Sequence, residues 1–209
     1  MIKAVIFDYN GVLVDDLQLH EEAYFKAAKE LGLPITMERI KEFISLSPER
    51  KIKEYFGVVS SEMEKKILEL KNKHYDELFE KTNIVFDGVA EILDYLSRKY
   101  VLAVVSNTIR DYFNKHFPKE LAAKFTETMF ADEIDKPKPA PDLLLKIIDK
   151  LGVKKEECVY IGDAVYDAQA AKAAGMKFIL IASGNNTKEE LLKEGDNVLD
   201  NIRELKDEL

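Results

Sequence analysis

Polar residues able to do chemistry stand at the ends of short apolar runs in this sequence. Asp8 and Asn10 follow Val5-Ile6-Phe7, and Ser106 and Asn107 follow Leu102-Ala103-Val104-Val105. Asp163 and Asp167 follow Val159-Tyr160-Ile161-Gly162, and Lys136 and Lys138 lie in a Pro-rich loop. Carboxylates gathered at one edge repel each other unless a cation joins them. Oxygen ligands of this kind suit Mg²⁺, which keeps several waters and shares its site with phosphate. A lysine and a hydroxyl at the same place suit negative phosphate oxygens. Asp163 and Asp167 are four residues apart where a strand turns into a helix, so one turn puts both near a helix N-terminus, where negative charge is favoured. A lone Asp after a strand is a common cap or turn residue, and Gly-Asp is an ordinary turn. The set, in this order and on strand ends, is far more specific.

The apolar runs, together with Phe178-Ile179-Leu180-Ile181, do not alternate. Continuous runs rich in branched residues are what strands buried on both faces look like. Helical patterns over 108–117, 140–151 and 164–174 separate the last three runs, and a weaker strand lies near Thr128-Met129-Phe130. This alternation predicts an α/β fold, a parallel sheet with helices on both faces. Such sheets bind ligands outside the carboxyl ends of their strands. Residues 16–82 show no strand-like run. Apolar positions recur there at helical spacing (Leu19, Ala23, Ala27, Leu31; then Ile67, Leu70, His74, Leu78), punctuated by Gly32, Pro34, Pro48 and Gly57. The chain therefore divides into a core, 1–15 with 83–209, and a helical insert, 16–82. Pro137, Pro139 and Pro141 stiffen the loop from Asp132 to Asp142.

The 209 residues are 46% hydrophobic with a net charge of −8, which argues against wholesale disorder and against a nucleic-acid partner. No apolar run approaches the ~20 residues a bilayer crossing needs, and the stretch from Met1 to Asp8 is too short for a signal peptide. Cys158, the sole cysteine, excludes an internal disulfide, reads as a small buried hydrophobe and fits a cytoplasmic setting. The last residues, Lys206-Asp207-Glu208-Leu209, match a retention signal but read as the frayed end of a charged helix.

The constellation at the strand ends resembles the haloacid dehalogenase-like hydrolase superfamily over nearly the whole chain. That family's first motif is a nucleophilic Asp, another residue, a second Asp, Gly, Thr or Val, and Leu. Here it reads Asp8-Tyr9-Asn10-Gly11-Val12-Leu13-Val14-Asp15. The resemblance implies that Asp8 attacks phosphorus and forms an aspartyl-phosphate. Ser106 matches the second motif, and the backbone amide of Asn107 would bind the phosphoryl group. Lys138 matches the register of the motif lysine, with Lys136 as the alternative. Gly162-Asp163-Ala164-Val165-Tyr166-Asp167 matches the Gly-Asp-x-x-x-Asp motif. By resemblance Asp8, Asp163 and the Asn10 carbonyl would hold Mg²⁺, and Asp167 would act directly or through water. The implied fold is a Rossmann-like parallel-sheet core with an all-helical cap, as in the phosphoglycolate phosphatase and β-phosphoglucomutase branch. There the cap closes over the substrate and excludes water. His20, Arg50 and Ser47 are the cap's candidate substrate contacts, each with a plain reading as a solvated residue beside it. The implied partner is a small phosphorylated metabolite, and the chain would be a monomer or homodimer.

One position departs from the family pattern. Phosphatases of this kind carry Asp two residues after the nucleophile, where it gives a proton to the leaving oxygen and takes one from water. Asn10 stands there instead, and an amide cannot relay a proton. General acid–base help is worth ~10²–10⁴-fold, so a phosphatase with Asn10 should be slow unless His20 or a good leaving group makes up the loss. A phosphomutase, a weakened phosphate-binding relative and an introduced substitution remain open. Haloacid dehalogenases also lack that Asp but need no metal, whereas Gly-Asp-x-x-x-Asp is the metal-binding form. Phosphonatases lack it too and use a cap lysine, for which Lys26, Lys29 and Lys51 are present.

Overall fold

The computed structural model describes residues 1–44 and 48–209, and of 48 and 49 the backbone alone. Ser47 lies outside the described residues. The chain forms two compact units, Met1–Asp15 with Val85–Leu209, and Asp16–Ile84. In chain order, β1 (Ala4–Phe7) is followed by the helices of the second unit: α1 (Leu17–Glu30), α2 (Met37–Phe43), α3 (Pro48–Phe56) and α4 (Ser61–Phe79). The first unit resumes with α5 (Val89–Leu96), β2 (Val101–Ser106), α6 (Arg110–His116), α7 (Lys119–Ala122), β3 (Glu127–Phe130), α8 (Asp142–Leu151) and β4 (Cys158–Gly162). It ends with α9 (Val165–Ala174), β5 (Lys177–Ile181), α10 (Lys188–Leu192), β6 (Val198–Leu199) and α11 (Leu205–Glu208).

Among the described residues the first unit holds one six-stranded sheet in the order β3-β2-β1-β4-β5-β6. Every neighbouring pair is parallel. The chain steps outward from β1 through β2 to β3, then returns to β4 and steps outward the other way. The reversal lies between β1 and β4, where Phe7 stands opposite Ile161. A crevice forms at such a switch point, outside the carboxyl ends of the strands. All residues of β1 and β4 are buried, which accounts for their unbroken apolar runs.

Helix α8 places Leu143, Leu144, Ile147 and Ile148 on one buried face, and Gly152 ends it in the left-handed region. Each of these large side chains contributes ~1.5–3 kcal/mol by leaving water. Helix α9 buries Ala168, Ala170, Ala171 and Ala174, whose small side chains let it pack close to the sheet, and Gly175 ends it. Both helices share a core with Ile6, Val105, Cys158 and Tyr160. Burial raises the Cys158 thiol to about 11, which makes it inert at neutral pH. The terminal charged residues do form a short helix, α11.

The second unit is helical, as the spacing predicts. Helices α1 and α4 pack together, with Tyr24, Ile40, Ile52 and Ile67 in a shared core. Thr36 and Ser60 cap α2 and α4 by accepting from Arg39 N–H and Met63 N–H, each at 3.2 Å. Among the described residues no helix is long and apolar enough to cross a membrane.

Candidate active site

The parallel register brings the ends of β1, β2 and β4 to one edge. Asp8 follows β1, Ser106 closes β2, and Asp163 follows β4. Asp8 N–H donates to the Ile161 carbonyl at 2.8 Å, which locks the first turn beyond β1 to its neighbour. Asp8, Asp163 and Asp167 are buried, and one oxygen from each lies within 4.8 Å of the others. The Lys138 ammonium enters this group, 2.8 Å from Asp8 Oδ1 and 2.8 Å from Asp167 Oδ1. Lys136 is exposed, so of the two lysines it is Lys138 that lies among these carboxylates. Asp8 Oδ1 also accepts from Tyr9 N–H at 2.7 Å. Ser106 Oγ accepts from Thr108 N–H at 3.1 Å and donates to Asn10 Oδ1 at 3.3 Å. The side chain of Asn107 clamps the backbone of Lys138, Nδ2 donating to its carbonyl and Oδ1 accepting its N–H.

Asp167, expected to act on the metal directly or through water, makes four hydrogen bonds with its two oxygens. Its Oδ2 accepts from Asp163 N–H and Ala164 N–H, both at 3.1 Å. Its Oδ1 accepts from Lys138 and, at 2.8 Å, from the Tyr160 hydroxyl. Two acceptor positions per oxygen are thereby filled. The residue braces the turn after β4 and the lysine.

The electrostatics follow from burial and like charge. Burial lifts the Asp8 carboxyl to about 7 against the pull of Lys138, and the charge of Asp167 adds to the rise. Burial, then Asp167 and Asp8, push Asp163 well above the usual carboxylate range. Burial works against the Lys138 ammonium, but Asp167 and Asp8 outweigh it and hold its pKa above the ordinary lysine value. One ammonium cannot balance three carboxylates, so the edge favours a further cation.

The residues fit such an ion. Asp163 Oδ1 is buried and no polar group reaches it. A Cβ at Gly11 would stand 2.2 Å from Asp163 Oδ2, and one at Gly184 would stand 1.7 Å away. Gly11 also has φ +77°, a conformation that L side chains rarely adopt. The donors are all oxygens, the set that hard divalent cations prefer.

Of the residues assigned to substrate, His20 and Arg50 belong to the second unit. Arg50 is exposed. His20, with a side chain 17% exposed, sets Nε2 3.1 Å from Asp16 Oδ2, which also accepts from the Tyr75 hydroxyl at 2.9 Å. Burial drives the His20 pKa down to about 4; Lys71 adds to the fall and Asp16 opposes it. Lys71 and Lys51 are depressed to about 7 and about 8, chiefly by burial. Lys26 pairs with Glu22 at 3.2 Å and Lys29 lies over the Phe25 ring.

Sequence reasoning missed Tyr160, Gly184 and Lys71. Tyr160 reads as one more apolar residue of a strand, and its hydroxyl partners lie 7 and 22 positions away. Gly184 matters through its distance to Asp163, which sequence spacing does not show. Lys71 sits among many other charges of α4.

The profile of the haloacid dehalogenase-like hydrolases matches residues 5–181. The chain is 29% identical over 203 residues to the phosphorylated carbohydrates phosphatase of Thermotoga maritima, covering 93% of this chain and 92% of the relative. It is 28% identical over 229 residues to the phosphoglycolate phosphatase of Salmonella typhi, covering 98% and 91%. Among solved structures, a candidate β-phosphoglucomutase from Thermotoga maritima superposes with a TM-score of 0.78 at 26% identity, over 100% of both chains. The chain belongs to the haloacid dehalogenase-like hydrolase family and is a hydrolytic enzyme of the phosphatase class.

Proposed function

We propose that this enzyme is a Mg²⁺-dependent phosphatase of a small phosphorylated metabolite, with Asp8 as its nucleophile. The observation that carries this reading is the Lys138 ammonium shared at 2.8 Å by Asp8 and Asp167, beside an Asp163 whose Oδ1 has no protein partner. An Asp8 oxygen bonds to phosphorus as the bond from phosphorus to the alcohol oxygen breaks. The alcohol leaves with a proton from solvent. Water then attacks the phosphorus of the aspartyl-phosphate, which releases inorganic phosphate and restores Asp8. Ser106 and the Asn107 backbone amide hold phosphoryl oxygens, and Lys138 offsets their charge.

Asp8, Asp163 and the Asn10 carbonyl would hold the Mg²⁺, with Asp167 one layer out because its acceptor positions are in use. When bound, the ion supplies the positive charge that lets a carboxylate and a phosphate dianion meet. Asn10 orients and moves no proton, so chemistry is slow for poor leaving groups. The helical unit acts as a cap that chooses the substrate, with His20 and Arg50 as contacts. The relatives' names point to phosphoglycolate or a sugar phosphate. A cytoplasmic setting fits the free Cys158.

The test is phosphate release from these substrates with Mg²⁺, which Asp8→Asn should abolish. Unchanged turnover in that variant would sink the assignment. A second reading, transfer to another sugar hydroxyl, draws on Asn10 and on the β-phosphoglucomutase-like neighbour. It would show as a requirement for a sugar bisphosphate with no net phosphate release. Tight phosphate binding without turnover would mark the weakened relative instead.

A further inference from the structure

Tyr160 has no part in the reaction as described, yet its hydroxyl stands inside the charge cluster. Its ring is fully buried in the core shared with α8 and α9. Only the hydroxyl meets the polar edge. There Oη accepts from Lys138 Nζ at 2.9 Å and donates to Asp167 Oδ1 at 2.8 Å. An ammonium has three N–H groups. Asp8 and Asp167 take two of them, and Tyr160 takes the third.

The hydroxyl is neutral, so it does not alter the balance of charge. What it supplies is direction. A lysine ends a flexible four-carbon stem and behaves as a point charge without a fixed fork. The Tyr160 hydroxyl adds a third fixed point to the ammonium, and the rings of Tyr160 and Tyr166 stand 5.6 and 5.4 Å from Nζ. The same hydroxyl fixes the Asp167 oxygen that Lys138 shares.

We propose that Tyr160 is a positioning residue: its hydroxyl sets the Lys138 ammonium against Asp8 and holds Asp167 in register with both. Its kinetic consequence rests on the phosphatase reading, whereas its structural consequence does not.

The primary test therefore follows Lys138 itself. In protein labelled with ¹⁵N-lysine, the Lys138 ammonium, assigned through its backbone, is expected to exchange its hydrogens slowly with water. Tyr160→Phe is expected to speed that exchange about tenfold or more, because one of three partners is gone. If Tyr160→Phe fails to fold, 3-fluorotyrosine at position 160 keeps the shape and weakens the hydroxyl as an acceptor. It should shift the Lys138 ¹⁵N signal. An unchanged Lys138 signal in the folded variant overturns the proposal. In the kinetic arm, Tyr160→Phe should lower kcat about tenfold with little change in KM, the mark of misplaced groups and not of lost binding. A kcat within twofold of the unsubstituted enzyme also overturns it. Asp8→Asn with full turnover would instead sink the phosphatase reading and leave the exchange result standing.

Discussion

The side chain of Asn107 and the backbone of Lys138 exchange two hydrogen bonds, each 2.9 Å long. Lys138 is thus gripped at both ends, its peptide by Asn107 and its ammonium by Asp8 and Asp167. Asn107→Ala removes both backbone bonds, each worth about 0.5–1.5 kcal/mol net. The expected result is a loss of about 1–3 kcal/mol in urea unfolding and a kcat lowered about tenfold. A full kcat would mean that Lys138 needs no tether at its backbone.

Replacing Lys138 by Met keeps the bulk of the side chain but leaves Asp8 and Asp167 without their shared cation. Breaking a buried ion pair from one side costs about 3–5 kcal/mol. Denaturant titration at neutral pH should show a loss of that order, together with near-complete loss of turnover. Added Mg²⁺ should restore part of the stability.

Asp163 is the residue with an oxygen left over, so it should govern the cation. Mg²⁺ at a hundred times its Kd should stabilise the protein by about 2.7 kcal/mol, since it binds the folded state alone. Thermal melts with Mg²⁺ and with a chelator would show this gap. In Asp163→Asn the two melts should coincide.

His20 makes a pH prediction. Its pKa in the folded protein is depressed to about 4, against about 6.5 in an unfolded chain. The unfolded state then binds the extra proton first as pH falls. The stability held by the neutral ring is full above about 6.5 and is lost as pH drops from there toward 4. Between pH 7.5 and 5.5 the unsubstituted protein should lose about 1 kcal/mol more than His20→Asn does. Parallel curves for the two proteins would contradict the depressed value.

Asn10→Asp restores a group that can carry a proton. Turnover of an alkyl phosphate should rise by ~10²-fold or more, and that of an aryl phosphate should rise as well, because both pass through the same aspartyl-phosphate and its attack by water lacks a base in the unsubstituted enzyme. An acid-quenched reaction of the unsubstituted enzyme should retain label on Asp8, because water attack lacks a base. No gain with either substrate would show that another side chain already does this work.

The sheet was legible where burial imposes a pattern. The runs ending at Phe7, Val105 and Ile161 are continuous because both faces of β1, β2 and β4 are covered. The edge strand β6 has two residues, too few for any period to register. Helix α5 has eight residues, about two turns, too short for its apolar face to stand out from the strand that follows. At the site, residue types and order pointed to Asp8, Ser106, Asp163 and either Lys136 or Lys138, and the family register to Lys138. The second role of Asn107, as a clamp on a loop 31 positions away, needs coordinates. So does the saturation of Asp167, whose donors come from its own turn, from Lys138 and from Tyr160.

Strand β1 occupies the middle of the sheet, but its neighbours begin only at Val101 and Cys158. Between Asp8 and those partners lies the whole of Asp16–Ile84. Pairing across such separations is slow, because the connecting chain must be closed before contacts repay it. A nascent polypeptide therefore carries its carboxylate long before it owns the lysine that completes the centre. The centre exists only once β1 has paired with β2 and β4 across the insert.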